Sequence, residues 1–193
     1  MSQARTNTPF ISAEEYLADE LNRKYKHEFV NGLIIMMAGA SGNHERISGN
    51  IYRKLGNHLE ASPCEAFGSD MKVKIGSNFF YPAAMVDCDF DESEPYFTQS
   101  PSIIVEVLSK STRRTDKTTK RFAYINTPNL QEYVLIEQDF VDIEVIRRSE
   151  GWVSKHYFLG DKVTFESIDL TVPVEEIYHR VDNEDMREFL AQK

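Results

Sequence analysis

The 193-residue sequence has only two cysteines, Cys64 and Cys88, and they lack the CxxC spacing of a zinc or redox motif. So few cysteines exclude a disulfide-stapled secreted scaffold; two free thiols with a structural role, in a reducing compartment, are expected. Long apolar runs are missing too. Nothing approaches the roughly 18 residues a membrane helix needs, and residues 1–8 lack the apolar stretch of a signal peptide. A cytoplasmic protein without membrane association is the expectation. Positive charge is also short: 22 basic against 31 acidic residues give a net charge of −9, which argues against coating nucleic acid with the whole surface. No repeat, low-complexity tract or linker divides the chain, and 41% hydrophobic residues can fill one sizeable core. A single domain over residues 1–193 follows, with 1–11 expected to be flexible.

What is present is strongly patterned. Ser12 and Glu15 fit a capping box, predicting a helix to Arg23 that buries Leu17 and Leu21. The Asn31-Gly32 pair between 26–30 and 33–37 predicts a hairpin with a type I′ turn. Ile47, Ile51, Leu55 and Leu59 form one apolar stripe of a second helix that ends near Pro63. Residues 71–75 and 79–86 read as two paired strands. Residues 102–108 are almost continuously apolar, as a strand buried on both faces would be. A helix over 116–126, stopped by Pro128, and a strand at 133–136 complete a parallel strand–helix–strand crossover. Residues 141–147 and 152–158 form a closing hairpin, followed by a short strand near Val163 and helical turns around Glu175 and Glu184. The fold class is α+β: a mixed central sheet with antiparallel hairpins, one crossover and flanking helices.

Glu106 is the most informative residue, because a carboxylate in a buried strand needs a partner, a proton or a metal. A buried salt bridge, with Lys120 a candidate, and a functional role both fit. Asp116, Lys120 and Tyr124 recur every four residues, so they share one helix face that could lean over the Glu106 strand; a surface ion pair explains the same spacing. Glu28 lies within the first hairpin and reads either as exposed strand polarity or as a site carboxylate. His44 begins the second helix, where free amides favour anions, although capping and packing are commoner roles. Lys110, Arg113, Arg114, Lys117 and Arg121, beside Ser109, Ser111 and Thr112, fit either a phosphate-tracking patch or a solvated helix face.

Taken in order, His27-Glu28-Phe29-Val30-Asn31-Gly32, Tyr81-Pro82, Ile104-Val105-Glu106-Val107-Leu108-Ser109, Ser111-Thr112 with Asp116, Lys120 and Tyr124, and Glu132-Tyr133-Val134-Leu135 resemble the Uma-type restriction endonuclease family over roughly residues 12–150. That family is similar to PD-(D/E)XK nucleases. The resemblance implies a restriction-endonuclease-like fold and a Mg²⁺- or Mn²⁺-dependent endonuclease that hydrolyses DNA phosphodiester bonds. It implies Glu106 and Glu28 as metal ligands, Lys120 as a catalytic lysine displaced from its usual strand position, DNA as partner and, by analogy with paired nucleases, a homodimer. One departure stands out: Tyr81-Pro82 is followed by Ala83 where the pattern has a metal-binding aspartate. Asp87 has the same strand parity but lies about 13 Å further along. A catalytically silent nuclease-fold protein that binds nucleic acid or a protein partner is therefore the alternative.

Overall fold

A computed structural model describes residues 11–192, so the expected flexibility of 1–11 falls almost wholly outside the described residues. The Ser12–Glu15 capping box forms in both directions. Helix α1 (Ala13–Glu20) is shorter than its sequence suggests and buries Tyr16 and Glu20, whereas Leu17 is only half-buried and Leu21 is exposed. Tyr16 sets this face, stacking on Phe29 at 5.1 Å and donating its hydroxyl proton to the His27 carbonyl.

Strands β1 (His27–Val30) and β2 (Leu33–Met36) pair through Asn31 and Gly32, whose φ angles of 52° and 80° are those of the expected turn. Helix α2 (Gly42–Leu59), capped by Ser41, buries its whole predicted stripe. Next come β3 (Glu65–Gly68), β4 (Lys72–Ile75) and β5 (Asn78–Phe80). The hairpin of β4 with β5 forms, but the single strand expected over 79–86 does not. It breaks at Tyr81-Pro82-Ala83, and its second half becomes β6 (Ala84–Asp87) in another sheet. Pro82 accounts for the break, since it has no N–H for a strand ladder and fixes its own φ.

After β7 (Phe97–Thr98) and β8 (Pro101–Leu108), the crossover helix runs as Arg113–Thr115, a π-helical turn at Asp116–Lys120, and Arg121–Ile125. Strand β9 (Glu132–Glu137) lies parallel to β8, as the crossover requires. β10 (Ile143–Arg147) and β11 (Ser154–Tyr157) close the sheet as an antiparallel hairpin. β12 (Lys162–Phe165) pairs with β13 (Leu170–Pro173), and short helices at Val174–Ile177 and Glu184–Ala191 follow.

The strands form a six-stranded sheet, β11-β10-β9-β8-β6-β3, a five-stranded sheet, β2-β1-β5-β4-β7, and the β12-β13 pair. α2 covers one face of the six-stranded sheet, where Ile47, Ile51 and Leu55 meet Val105, Val134 and Ile143. Phe80, Ile104, Leu108, Tyr124 and Tyr133 fill the opposite face. Alternation along β8 puts Glu106 on this second face, beneath the crossover helix.

The free-thiol expectation is overturned. Cys64 and Cys88 are joined in a disulfide. The β3–β6 register pairs Glu65 with Asp87, so its next step sets the two cysteines directly opposite each other. Sequence spacing alone could not reveal that register. No helix among the described residues is long and apolar enough to cross a membrane.

Candidate active site at the crossover helix

The Lys120 ammonium lies at the centre of a buried ionic cluster. Its Nζ is 2.8 Å from Glu28 Oε1, 3.1 Å from Glu106 Oε1 and 3.3 Å from Asp116 Oδ1. Three separate elements deliver these groups: β1 supplies Glu28, β8 supplies Glu106, and the π turn supplies Asp116 and Lys120. The Tyr124 hydroxyl donates to the same Glu106 oxygen at 3.0 Å, and the Tyr81 backbone amide donates to Glu28 Oε1 at 3.1 Å. Phe80 presents its ring 5.9 Å from the ammonium. Glu28 is thus buried, not exposed strand polarity, and the Asp116–Lys120 pair is interior.

Burial pushes the Glu106 carboxyl up to about 8, with Asp116 and Glu28 adding to the rise and Lys120 opposing it. Asp116 is also raised by burial. Burial disfavours the Lys120 charge, but the surrounding carboxylates outweigh it and hold that pKa above the ordinary lysine value. Burial, reinforced by Glu106, raises Tyr124, which keeps its hydroxyl a donor. The arrangement binds one cation strongly and retains protons that isolated carboxylates would release.

His44 stands at the edge of this cluster. Its amide is capped by Ser41, its ring Nδ1 lies 3.4 Å from the Ser48 hydroxyl, and burial lowers its pKa, favouring neutral imidazole. Asp87 lies apart, accepting from Thr98, Ser100 and the Asp89 amide, so it does not replace an aspartate at position 83. Ala83 is buried, and extending the Ala84↔Val105 register by one pair sets it across from Glu106.

Of the five clustered cations, three are neutralised. Arg113 grips Glu137 through Nε and Nη2 and also meets Asp139; Lys117 lies near Glu137 and Glu144; Arg121 pairs with Glu144. Lys110 and Arg114 are exposed and have no carboxylate partner among the described residues. Ser109, Ser111 and Thr112 hydrogen-bond one another. The Tyr81 amide was not foreseeable as a site donor, because its position depends on β1 and β5 meeting across the break at Pro82.

Comparison with known proteins bears on this geometry. The sequence profile of the Uma2 family, described as "Putative restriction endonuclease", matches residues 13–175. Two uncharacterized proteins of Synechocystis sp. are similar: slr1290 is 35% identical over 175 residues, covering 88% of this chain and 92% of that protein. The other, sll1609, is 40% identical over 136 residues, covering 68% and 77%. The crystal structure of a putative nuclease from Anabaena variabilis superposes with a TM-score of 0.71 over 87% of this chain and 97% of that one, at 19% identity, so the fold is shared. Matched from the first helix to beyond the last hairpin, the chain belongs to the Uma2 family of restriction-endonuclease-like proteins.

Proposed function

We propose that this chain engages DNA through a nuclease-type fold whose cleavage centre is closed and one ligand short, so that it binds without cutting. The observation that carries this reading is the Lys120 ammonium held between Glu28 and Glu106, with Ala83 at the position where the resemblance to PD-(D/E)XK nucleases implies an aspartate. A hard divalent ion such as Mg²⁺ takes several oxygen ligands in near-octahedral array. Here the two carboxylates already face an ammonium, and a methyl group at position 83 supplies no oxygen. Among the described residues no group of three or more His, Cys, Asp or Glu side chains is disposed to hold a metal ion. The Asp116 Oδ1 atom is buried without a hydrogen bond, but Lys120 offsets its charge from 3.3 Å. The residues present therefore do not fit a complete Mg²⁺ or Mn²⁺ site.

What the cluster does support is the architecture of the fold at the place where a phosphodiester would lie. Glu106, Lys120 and Tyr124 lock the crossover helix onto β8, and Lys110 and Arg114 project beside it as free cations for phosphate contact. The competing reading is an active metal-dependent endonuclease in which Glu28 and Glu106 bind the metal and Lys120 assists. The retention of all three residues in mutual contact favours it.

One assay separates the two. A DNA panel incubated with Mg²⁺ or Mn²⁺ should be bound in a salt-dependent manner and left intact by the natural chain. The Ala83→Asp variant should gain cleavage, and adding Glu106→Ala to it should remove that gain. Cutting by the natural chain that Glu106→Ala abolishes would overturn the silent reading in favour of the active one. A dimer would be read from the sedimentation of the same sample.

A further inference from the structure

On the side of α2 turned away from the sheet, a cavity of about 410 Å³ is lined by Glu45, Arg46, Gly49, Asn50, Arg53, His179 and Arg180. Arg46, Arg53 and Arg180 are exposed, and none has a carboxylate partner among the described residues. Glu45 is the one acid in the lining and lies 3.9 Å from His44. Three unanswered guanidinium groups around one cavity are unexpected in a chain of net charge −9.

The cavity wall is built, not accidental. Arg180 has a φ of 63°, in the left-handed region where glycine is the usual residue. A long cationic side chain is held there although a glycine would fit the backbone better. Asn50, buried in α2, fixes the turn that presents it: Nδ2 donates to the Ile177 carbonyl at 3.0 Å and to the His179 carbonyl at 2.9 Å. The same side chain orients one of the other cations, because its Oδ1 accepts from Arg53 Nη2 at 3.3 Å. Arg46 is steadied by Asn43 in the same way. Gly49 adds no side chain between Arg46 and Arg53, and a Cβ placed there would meet nothing within 4 Å, so the floor stays open.

We propose that this cavity is a phosphate-binding site for the nucleic-acid backbone, with Arg46, Arg53 and Arg180 as its ligands and Asn50 as a positioning residue. Guanidinium groups match phosphate oxygens with paired donors, which lysines do not. Arg46 and Arg53 are seven residues apart, or about 10 Å along the helix axis, a span of roughly three nucleotide steps on one strand. The choice of nucleic acid over a free phosphate compound rests on the DNA-binding reading above.

Binding of a short labelled duplex is measured in EDTA, where cleavage plays no part, across a salt series; inorganic pyrophosphate serves as the free-phosphate probe. The variants are Arg46→Ala with Arg53→Ala, and separately Arg180→Gly, which removes the cation while suiting the backbone. The double variant should weaken duplex binding about tenfold or more and flatten the dependence of log K on log salt by nearly 2, since each lost phosphate contact removes about 0.9. Arg180→Gly should remove about half as much slope. Unchanged duplex affinity and slope in both overturn the proposal, as does a natural chain that binds pyrophosphate but no duplex. Cleavage by the natural chain would instead refute silence and leave this site to stand or fall on its salt slope.

Discussion

Two cationic regions of this molecule look alike in charge and differ in what answers it. In the segment 110–121 the carboxylates of Glu137, Glu144, Glu106 and Glu28 neutralise Arg113, Lys117, Lys120 and Arg121. Along the outer side of α2, by contrast, Arg46, Arg53 and Arg180 meet no carboxylate partner among the described residues. A run of basic residues in sequence marks a place where charge is concentrated, but only the folded surroundings decide whether that charge is spent on stability or left for a ligand. The paired cations of the first region, Arg113, Lys117, Lys120 and Arg121, should therefore respond to mutation mainly in stability, and the second region, like the unpaired Lys110 and Arg114, mainly in binding.

The largest effect is expected from Lys120→Met. It leaves three buried carboxylates without their cation, and loss of one partner from a buried cluster costs about 3–5 kcal/mol. Denaturant unfolding of the variant measures this; a loss under about 1 kcal/mol would mean that the cluster is held by protons instead.

Next comes pH. Burial pushes the Glu106 carboxyl up to about 8 from an ordinary 4.5, so the folded state keeps the proton more firmly. Its contribution to stability is complete below about pH 4.5 and is lost as pH rises through about 8, by up to about 5 kcal/mol. Glu106→Gln should flatten that part of the stability profile, and an identical profile in the variant would contradict the assignment.

Arg113→Ala should be smaller, about 1–2 kcal/mol, because it strips a paired hydrogen bond from the buried Glu137. Thermal unfolding would detect it. At the lower end, Arg46→Ala and Arg53→Ala should each change stability by no more than about 0.5 kcal/mol. A destabilisation of either variant comparable to that of Arg113→Ala would erase the contrast between the two regions.

Much of the scaffold was legible because its signals are local. Asn31-Gly32 dictates its turn, the four-residue stripe of α2 its buried face, and the apolar run of β8 its central place. Glu106 stood out for the same reason, as a charge where the pattern allows none. Other features depend on contacts between distant segments. The 79–86 stretch alternates like one strand, and only the meeting of two sheets reveals that Pro82 divides it. The Cys64–Cys88 bond needs the β3–β6 register, and α1 turned to bury Tyr16 because of Phe29, not because of its own periodicity. Arg46 and Arg53 lie on one side of a recognisable helix, so half of the cavity was within reach of the sequence. Arg180 joins them from about 130 residues away through Asn50.

The π turn at Asp116–Lys120 bears on how this family can vary. A π turn holds one residue more than the α-helix it interrupts, so it can be removed by a single deletion without unwinding its flanks. A chain lacking Thr118 or Thr119 would re-form an unbroken α-helix with its flanks in place, but Asp116 and Lys120 would then stand three residues apart instead of four. The 3.3 Å contact between Lys120 and Asp116 would have to be remade at that shorter spacing. The length of this helix, counted to the residue, is thus as much a part of the centre as the identity of its lysine.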